Sequence, residues 1–104
     1  IMPGYQLISA YQAKQRSLKE NVQLVDIRDR HSFDTDHPEN AFHLTNQSVD
    51  EFMKKVDINT PVFVICYHGN SSKGVAQYLC ERGYLDVYSV DGGFADWRLV
   101  NPHG

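Results

Sequence analysis

Cysteine is scarce in this chain. There are two, Cys66 and Cys80, in 104 residues. Two cysteines cannot staple a secreted disulfide scaffold, so the expectation is a reducing, cytoplasmic setting with both as free thiols. Long apolar runs are also missing. Nothing approaches the roughly 20 residues that a membrane-spanning helix needs, so no membrane partner is expected. Positive charge is not in excess either. The formal net charge is -3, which argues against a nucleic-acid partner. At Ile1-Met2-Pro3-Gly4 no charged segment leads into an apolar one, so no secretory signal is read there. Met2 reads as the natural start, with residues 1–4 as an extension or expression remnant. Repeats, low-complexity tracts and linkers are absent, so residues 1–104 are expected to form one domain. What remains is ordinary for a globular protein: 41% hydrophobic and 22% charged residues.

Short β-rich runs alternate with helical patterns. Tyr5-Gln6-Leu7-Ile8, Leu24-Val25-Asp26-Ile27, Ala41-Phe42-His43-Leu44, Val62-Phe63-Val64-Ile65 and Val87-Tyr88-Ser89-Val90 read as strands. Ser9 opens a helix, with Gln12 completing a capping box, and Ser48 with Glu51 predicts a second box. Val49, Phe52, Met53 and Val56 then recur at the spacing of one helix face. His31 to Asp36 predicts a short helix that Pro38 stops. Ser72 to Arg82 predicts a helix with Val75, Ala76, Leu79 and Cys80 inward and Gly83 as its stop. Phe94 to Arg98 predicts a last short helix after an Asp91-Gly92-Gly93 turn. Val62–Ile65 is apolar at every position, as a strand covered on both faces requires. The alternation predicts an α/β protein: a three-layer α/β/α domain around a central, mostly parallel five-stranded sheet. Ligands of such folds sit beyond the carboxyl ends of the strands. That edge is expected to gather Arg28-Asp29, Thr45-Asn46, Cys66 with its loop, and Asp91-Gly92-Gly93.

The stretch Cys66-Tyr67-His68-Gly69-Asn70-Ser71-Ser72-Lys73 carries the chemistry. A cysteine ends a buried strand, a short glycine-containing loop follows, and a helix begins. Loop N–H groups and the positive end of the helix can converge on one point and stabilise a thiolate there. Gly69 lets the backbone fold back, and Lys73 stands in the first helical turn. This arrangement suits attack on phosphorus or on a sulfane sulfur. Cysteine-dependent phosphatases carry C-x5-R, whose arginine clamps phosphoryl oxygens. Counting from Cys66, that place is Ser72, and no arginine stands between Cys66 and Arg82.

Leu24-Val25-Asp26-Ile27-Arg28-Asp29, Ala41-Phe42-His43-Leu44-Thr45-Asn46, the loop Cys66 to Lys73, and Tyr88 to Trp97 with its Asp-Gly-Gly turn resemble the single-domain rhodanese family, in order and in spacing. The resemblance implies a thiosulfate sulfurtransferase with Cys66 as its catalytic residue, held as a persulfide. It implies thiosulfate as donor, cyanide or thiol acceptors such as thioredoxin, and no metal or organic cofactor. Read as six residues, Cys66 to Ser71, the loop falls in the shorter class that the resemblance assigns to sulfurtransferases rather than to related phosphatases. The alternatives are a cysteine-dependent phosphatase or arsenate reductase, against which the missing arginine argues, and a non-catalytic rhodanese module, many of which lack the cysteine. Two departures stand out. Asp36-His37-Pro38 replaces the family's Gly-His turn, with Asp36 expected to tolerate a positive φ. Tyr67 and His68 stand where some rhodaneses carry basic residues, so a weak grip on thiosulfate is expected.

Several residues have plainer readings. Cys80 shares an apolar face with Ala76 and Leu79 and reads as a structural thiol. It lies too far along the helix, about 12 Å, to reach Cys66, since a disulfide needs Cα atoms within about 7 Å. Asp26 and Arg28 read as a structural pair at the floor of the site. For His68 and Lys73 two readings stay open, electrostatic helper or solvated side chain. His31, His37 and His43, six apart, match no common metal motif. Trp97 reads as core.

Overall fold

The computed structural model describes residues 4–101; the readings at Ile1, Met2 and Pro3 lie outside them. The elements are β1 (Gln6–Ser9), α1 (Ala10–Lys19), β2 (Gln23–Asp26), α2 (Arg30–Thr35), β3 (Phe42–His43), α3 (Val49–Lys55), β4 (Val62–Ile65), α4 (Ser71–Glu81), β5 (Val87–Asp91) and α5 (Gly93–Trp97). The strands form one sheet in the order β1-β5-β4-β2-β3. Every pairing is parallel, so "mostly parallel" becomes wholly parallel among the described residues.

The apolar run of β4 is explained by its two faces. Val62 and Val64 pack with Phe52, Ala76 and Leu79 of α3 and α4, whereas Phe63 and Ile65 pack with Ala13, Phe94 and Trp97 of α1 and α5. Because strand side chains alternate in direction, a strand buried on both faces needs apolar residues throughout. The connection from β2 runs outward to β3, and the one from β4 runs outward to β5. The sheet therefore has its topological switch between β2 and β4, where a crevice opens at the carboxyl ends. Arg28 follows β2 and Cys66 follows β4, so both flank that crevice.

Three local expectations are corrected. Ser9 caps α1 as read, its hydroxyl accepting from the Gln12 N–H at 3.0 Å, but Ser48 does not cap α3. Its backbone is already helical (φ -109°, ψ -4°), and its hydroxyl donates to the His43 carbonyl and accepts from the Thr45 N–H. Asp36 is extended at φ -167°; the positive φ in this region belongs to Asn40, at 66°. β3 is only two residues long. Beyond it, the Leu44 N–H still reaches the Asp26 carbonyl before the chain turns at Thr45.

Candidate active site

Cys66 leaves β4 at the switch point, and α4 begins five residues later at Ser71, one residue earlier than read from the sequence. The intervening loop curls back over the cysteine. Its Sγ accepts from the Gly69 N–H at 3.1 Å and the Ser72 N–H at 3.3 Å, and lies 3.3 Å from the Ser72 hydroxyl. Burial pushes the thiol up, but the Ser72 hydroxyl and the N–H groups of Ser72, Gly69 and His68 outweigh it and leave Cys66 below its ordinary value.

The loop holds this shape because the Asp91-Gly92-Gly93 turn presses against it. The Phe94 N–H donates to the Cys66 carbonyl at 2.7 Å, and the Ala95 N–H to the Tyr67 carbonyl at 3.1 Å. In a trans peptide the N–H points opposite to the C=O. Drawing the Tyr67 carbonyl toward α5 therefore turns the His68 N–H to the other side, where it helps lower the Cys66 thiol. Gly93, at φ 57°, has no room for a side chain: a Cβ there would sit 2.6 Å from Tyr67 C and 2.7 Å from His68 N. Gly69, at φ 93°, makes the reciprocal approach, and its Cβ would fall 2.9 Å from Gly92 N. The Asp91-Gly92-Gly93 turn, expected at this edge, is thus the backing of the sulfur cradle.

The Asp26–Arg28 pair is buried and structural, as read. The Asp26 carboxylate accepts from the Arg28 N–H, Nε and Nη2, the last at 2.8 Å. Nη2 also donates to the Asp36 carbonyl at 2.6 Å, and the guanidinium lies 4.0 Å from the Phe94 ring centroid. Arg28 thereby ties β2, the turn after α2 and α5 together, without a contact to Sγ. The departure from the family at Asp36 is absorbed by this carbonyl, which any residue in that position would supply.

The other residues singled out in the sequence divide cleanly. Cys66, Gly69 and Ser72 meet at the sulfur. Tyr67 is exposed and its hydroxyl bonds to Ser32 of α2 at 3.0 Å. His68, Asn70, Ser71 and Lys73 are exposed, and none of their side chains forms a hydrogen bond or ion pair. Asp29 caps α2 through Ser32. Thr45 and Asn46 are not brought to Cys66; they line a separate hollow against Gly74 and Val75 of α4. Phe33 stacks between His37 and His43, which accounts for both as packing groups. Cys80 and Trp97 are core residues. Beside the loop a cavity of about 620 Å³ opens between Tyr67, His68, Arg28, Phe94, Arg98 and α2.

Ser89 was missed. Its hydroxyl, on β5 and fully buried, lies 2.7 Å from that of Ser72. Nothing in Val87-Tyr88-Ser89-Val90 marks it, because a serine in a strand carries no periodic signal and the contact spans 17 residues.

Solved structures share this fold. A rhodanese-like domain protein from Staphylococcus aureus is 25% identical, with a TM-score of 0.77 over 88% of this chain and 90% of that one. A rhodanese-related protein from Thermoplasma volcanium is 23% identical, with a TM-score of 0.76 over 91% and 92%. A Rhodopseudomonas palustris protein described as of unknown function, "possible tyrosine phosphatase", is 22% identical, with a TM-score of 0.72 over 90% and 80%. The last two, below 25% identity, speak to the fold alone. The model of the rhodanese-like domain matches residues 9–99, from the cap of α1 past the end of α5, and so the chain belongs to that family.

Proposed function

We propose that this chain is a sulfurtransferase that moves sulfane sulfur from thiosulfate, or a donor like it, to cyanide or a thiol through a Cys66 persulfide. The observation that carries the reading is the cradle itself. The sulfur faces two N–H groups and a hydroxyl, and the loop supplies no guanidinium. Arg28, the basic side chain buried beside the loop, is committed to Asp26. A phosphoryl group would therefore lack its clamp, whereas a sulfur anion needs only donors. The retained cysteine also speaks against a purely binding module.

The reaction is a double displacement. The Cys66 thiolate attacks the outer sulfur of thiosulfate; a new S–S bond forms, the bond to sulfite breaks, and sulfite leaves with the electron pair. Cyanide or an acceptor thiolate then attacks the outer sulfur of the persulfide. Thiocyanate or an acceptor persulfide leaves, and the Cys66 thiolate returns. In a cytoplasmic setting, dithiol proteins such as thioredoxin are the acceptor class proposed.

The test is intact-protein mass spectrometry. Thiosulfate is expected to add the mass of one sulfur, on Cys66, and cyanide to remove it. Wild-type turnover by Cys66→Ser would defeat the assignment. Cys66-dependent hydrolysis of aryl phosphates at a comparable rate would move the reading to a phosphatase.

A further inference from the structure

The geometry points to Ser89 as a positioning residue: its hydroxyl orients that of Ser72, so that Ser72 donates to the Cys66 sulfur when the sulfur is an anion. The inference rests on Cys66 acting as a thiolate, as the proposed function requires.

Ser72 and Ser89 are both fully buried, on α4 and β5, and their hydroxyl oxygens are 2.7 Å apart. The Ser89 hydroxyl has Ser72 as its partner, and Ser72 in turn lies 3.3 Å from Sγ. The three groups form a chain, Sγ–Ser72–Ser89, whose two hydroxyls are closed off from water. Val87 packs on the α4 face and Val90 on the α1/α5 face, so a purely structural strand would offer an aliphatic side chain beneath α4 at Ser89 as well. A buried hydroxyl costs free energy unless bonded, and here the bond it makes leads to the sulfur.

The chain has two orientations. In the thiol state, Cys66 S–H donates to Ser72 Oγ, and the Ser72 O–H turns to Ser89. In the thiolate state both hydroxyls rotate: Ser89 donates to Ser72, and Ser72 donates to Sγ. No proton passes between the oxygens; the one lost by sulfur goes to solvent. Only in the second orientation do both O–H dipoles point toward the negative charge and polarise each other. Ser89 therefore favours the anion, and it acts solely through Ser72. The charged or titratable side chains on the surrounding elements are Tyr67 and His68 of the loop, Lys73, Tyr78, Cys80 and Glu81 of α4, Asp26 of β2 and Arg28 after it, Tyr88 and Asp91 of β5, and Asp96 of α5 with Arg98 after it. None of them contacts Sγ, so the hydroxyl chain is separable from them.

Site-resolved alkylation of Cys66 by iodoacetamide across pH reads the thiolate directly and needs no sulfur donor. Ser72→Ala is expected to raise the midpoint by about one pH unit, the worth of one charge-assisted hydrogen bond. Ser89→Ala should move it the same way by a few tenths of a unit, as loss of cooperative polarisation requires, at roughly 10–30% of a bond. The double variant should match Ser72→Ala alone. Ser89→Thr, which keeps the hydroxyl, should titrate closer to wild type than Ser89→Ala does. An unmoved midpoint in Ser89→Ala would overturn the inference. So would an Ser89→Ala effect that persists undiminished without the Ser72 hydroxyl, or a folded Ser89→Thr that behaves like Ser89→Ala. Failure of the sulfurtransferase reading looks different: the midpoints follow this pattern while thiosulfate leaves no sulfur on Cys66.

Discussion

Cys66 and Cys80 stand at opposite ends of the same helix, one just before α4 and one near its last turn. They are almost equally buried, at 3% and 6% exposure. Their thiols nevertheless shift in opposite directions. Burial and the neighbouring Glu81 carboxylate push Cys80 above its ordinary value, while Cys66 falls below its own. Burial therefore does not distinguish a working thiol from a structural one. The difference lies in the donors that meet the sulfur, the Ser72 hydroxyl first and then unpaired backbone N–H groups. At the start of a helix the first N–H groups have no partner within it, and at Cys66 two N–H groups, of Gly69 and Ser72, point at the sulfur. By the third turn, around Cys80, every N–H is spent on the helix itself, and the thiol packs into the apolar core without a donor.

The largest effects expected are those that erase the contrast. Gly93→Ala would drive a methyl into the backbone at Tyr67 and His68 and hold alanine at φ 57°. A loss of about 2–4 kcal/mol in stability is expected. The folded fraction should also show a raised alkylation midpoint at Cys66, because the N–H groups are displaced. A thermal melt and the same alkylation series check this; wild-type values in both would mean that the turn does not back the cradle.

Next is the contrast itself. Cys66 is lowered and Cys80 raised from the ordinary thiol value, so alkylation should reach Cys66 at a lower pH than Cys80. A lowered folded-state value also stabilises the fold above the unfolded-state value, and that contribution fades as pH drops through the folded-state value. Labelling of both thiols at the same pH would remove the distinction. Cys80→Ala should leave sulfur transfer within a few-fold of wild type and lower stability by about 1 kcal/mol. A collapse in turnover without unfolding would make Cys80 a working thiol.

The smallest effect belongs to Lys73, one residue past the cradle yet exposed and unpaired. Its charge acts only through water. Lys73→Ala should raise KM for thiosulfate by about two- to threefold at low salt, leave kcat unchanged, and lose that difference as screening rises. An unchanged KM at low salt would assign the whole of donor attraction to the backbone.

Much of this was legible in the sequence because it depends on local pattern. Val62–Ile65 is apolar throughout because both faces are covered, and the run alone implied a central parallel strand. Val49, Phe52, Met53 and Val56 share one face because the helix period places them there. Cys66-Tyr67-His68-Gly69 between a strand and a helix announced a donor-lined loop because such loops follow from chain geometry. Only tertiary structure decided the rest. Ser48 carries the letters of a helix cap, but a neighbouring turn claims its hydroxyl. Thr45 and Asn46 follow a strand, as Arg28 does, yet β3 lies at the edge of the sheet and its carboxyl end opens onto a different hollow. Ser89 meets Ser72, and Gly93 meets the cysteine loop, because β5 lies beside β4 in a parallel sheet. Short-range periodicity records which face a residue occupies. It does not record which distant segment faces it, and in this protein that pairing shapes the donors around Cys66.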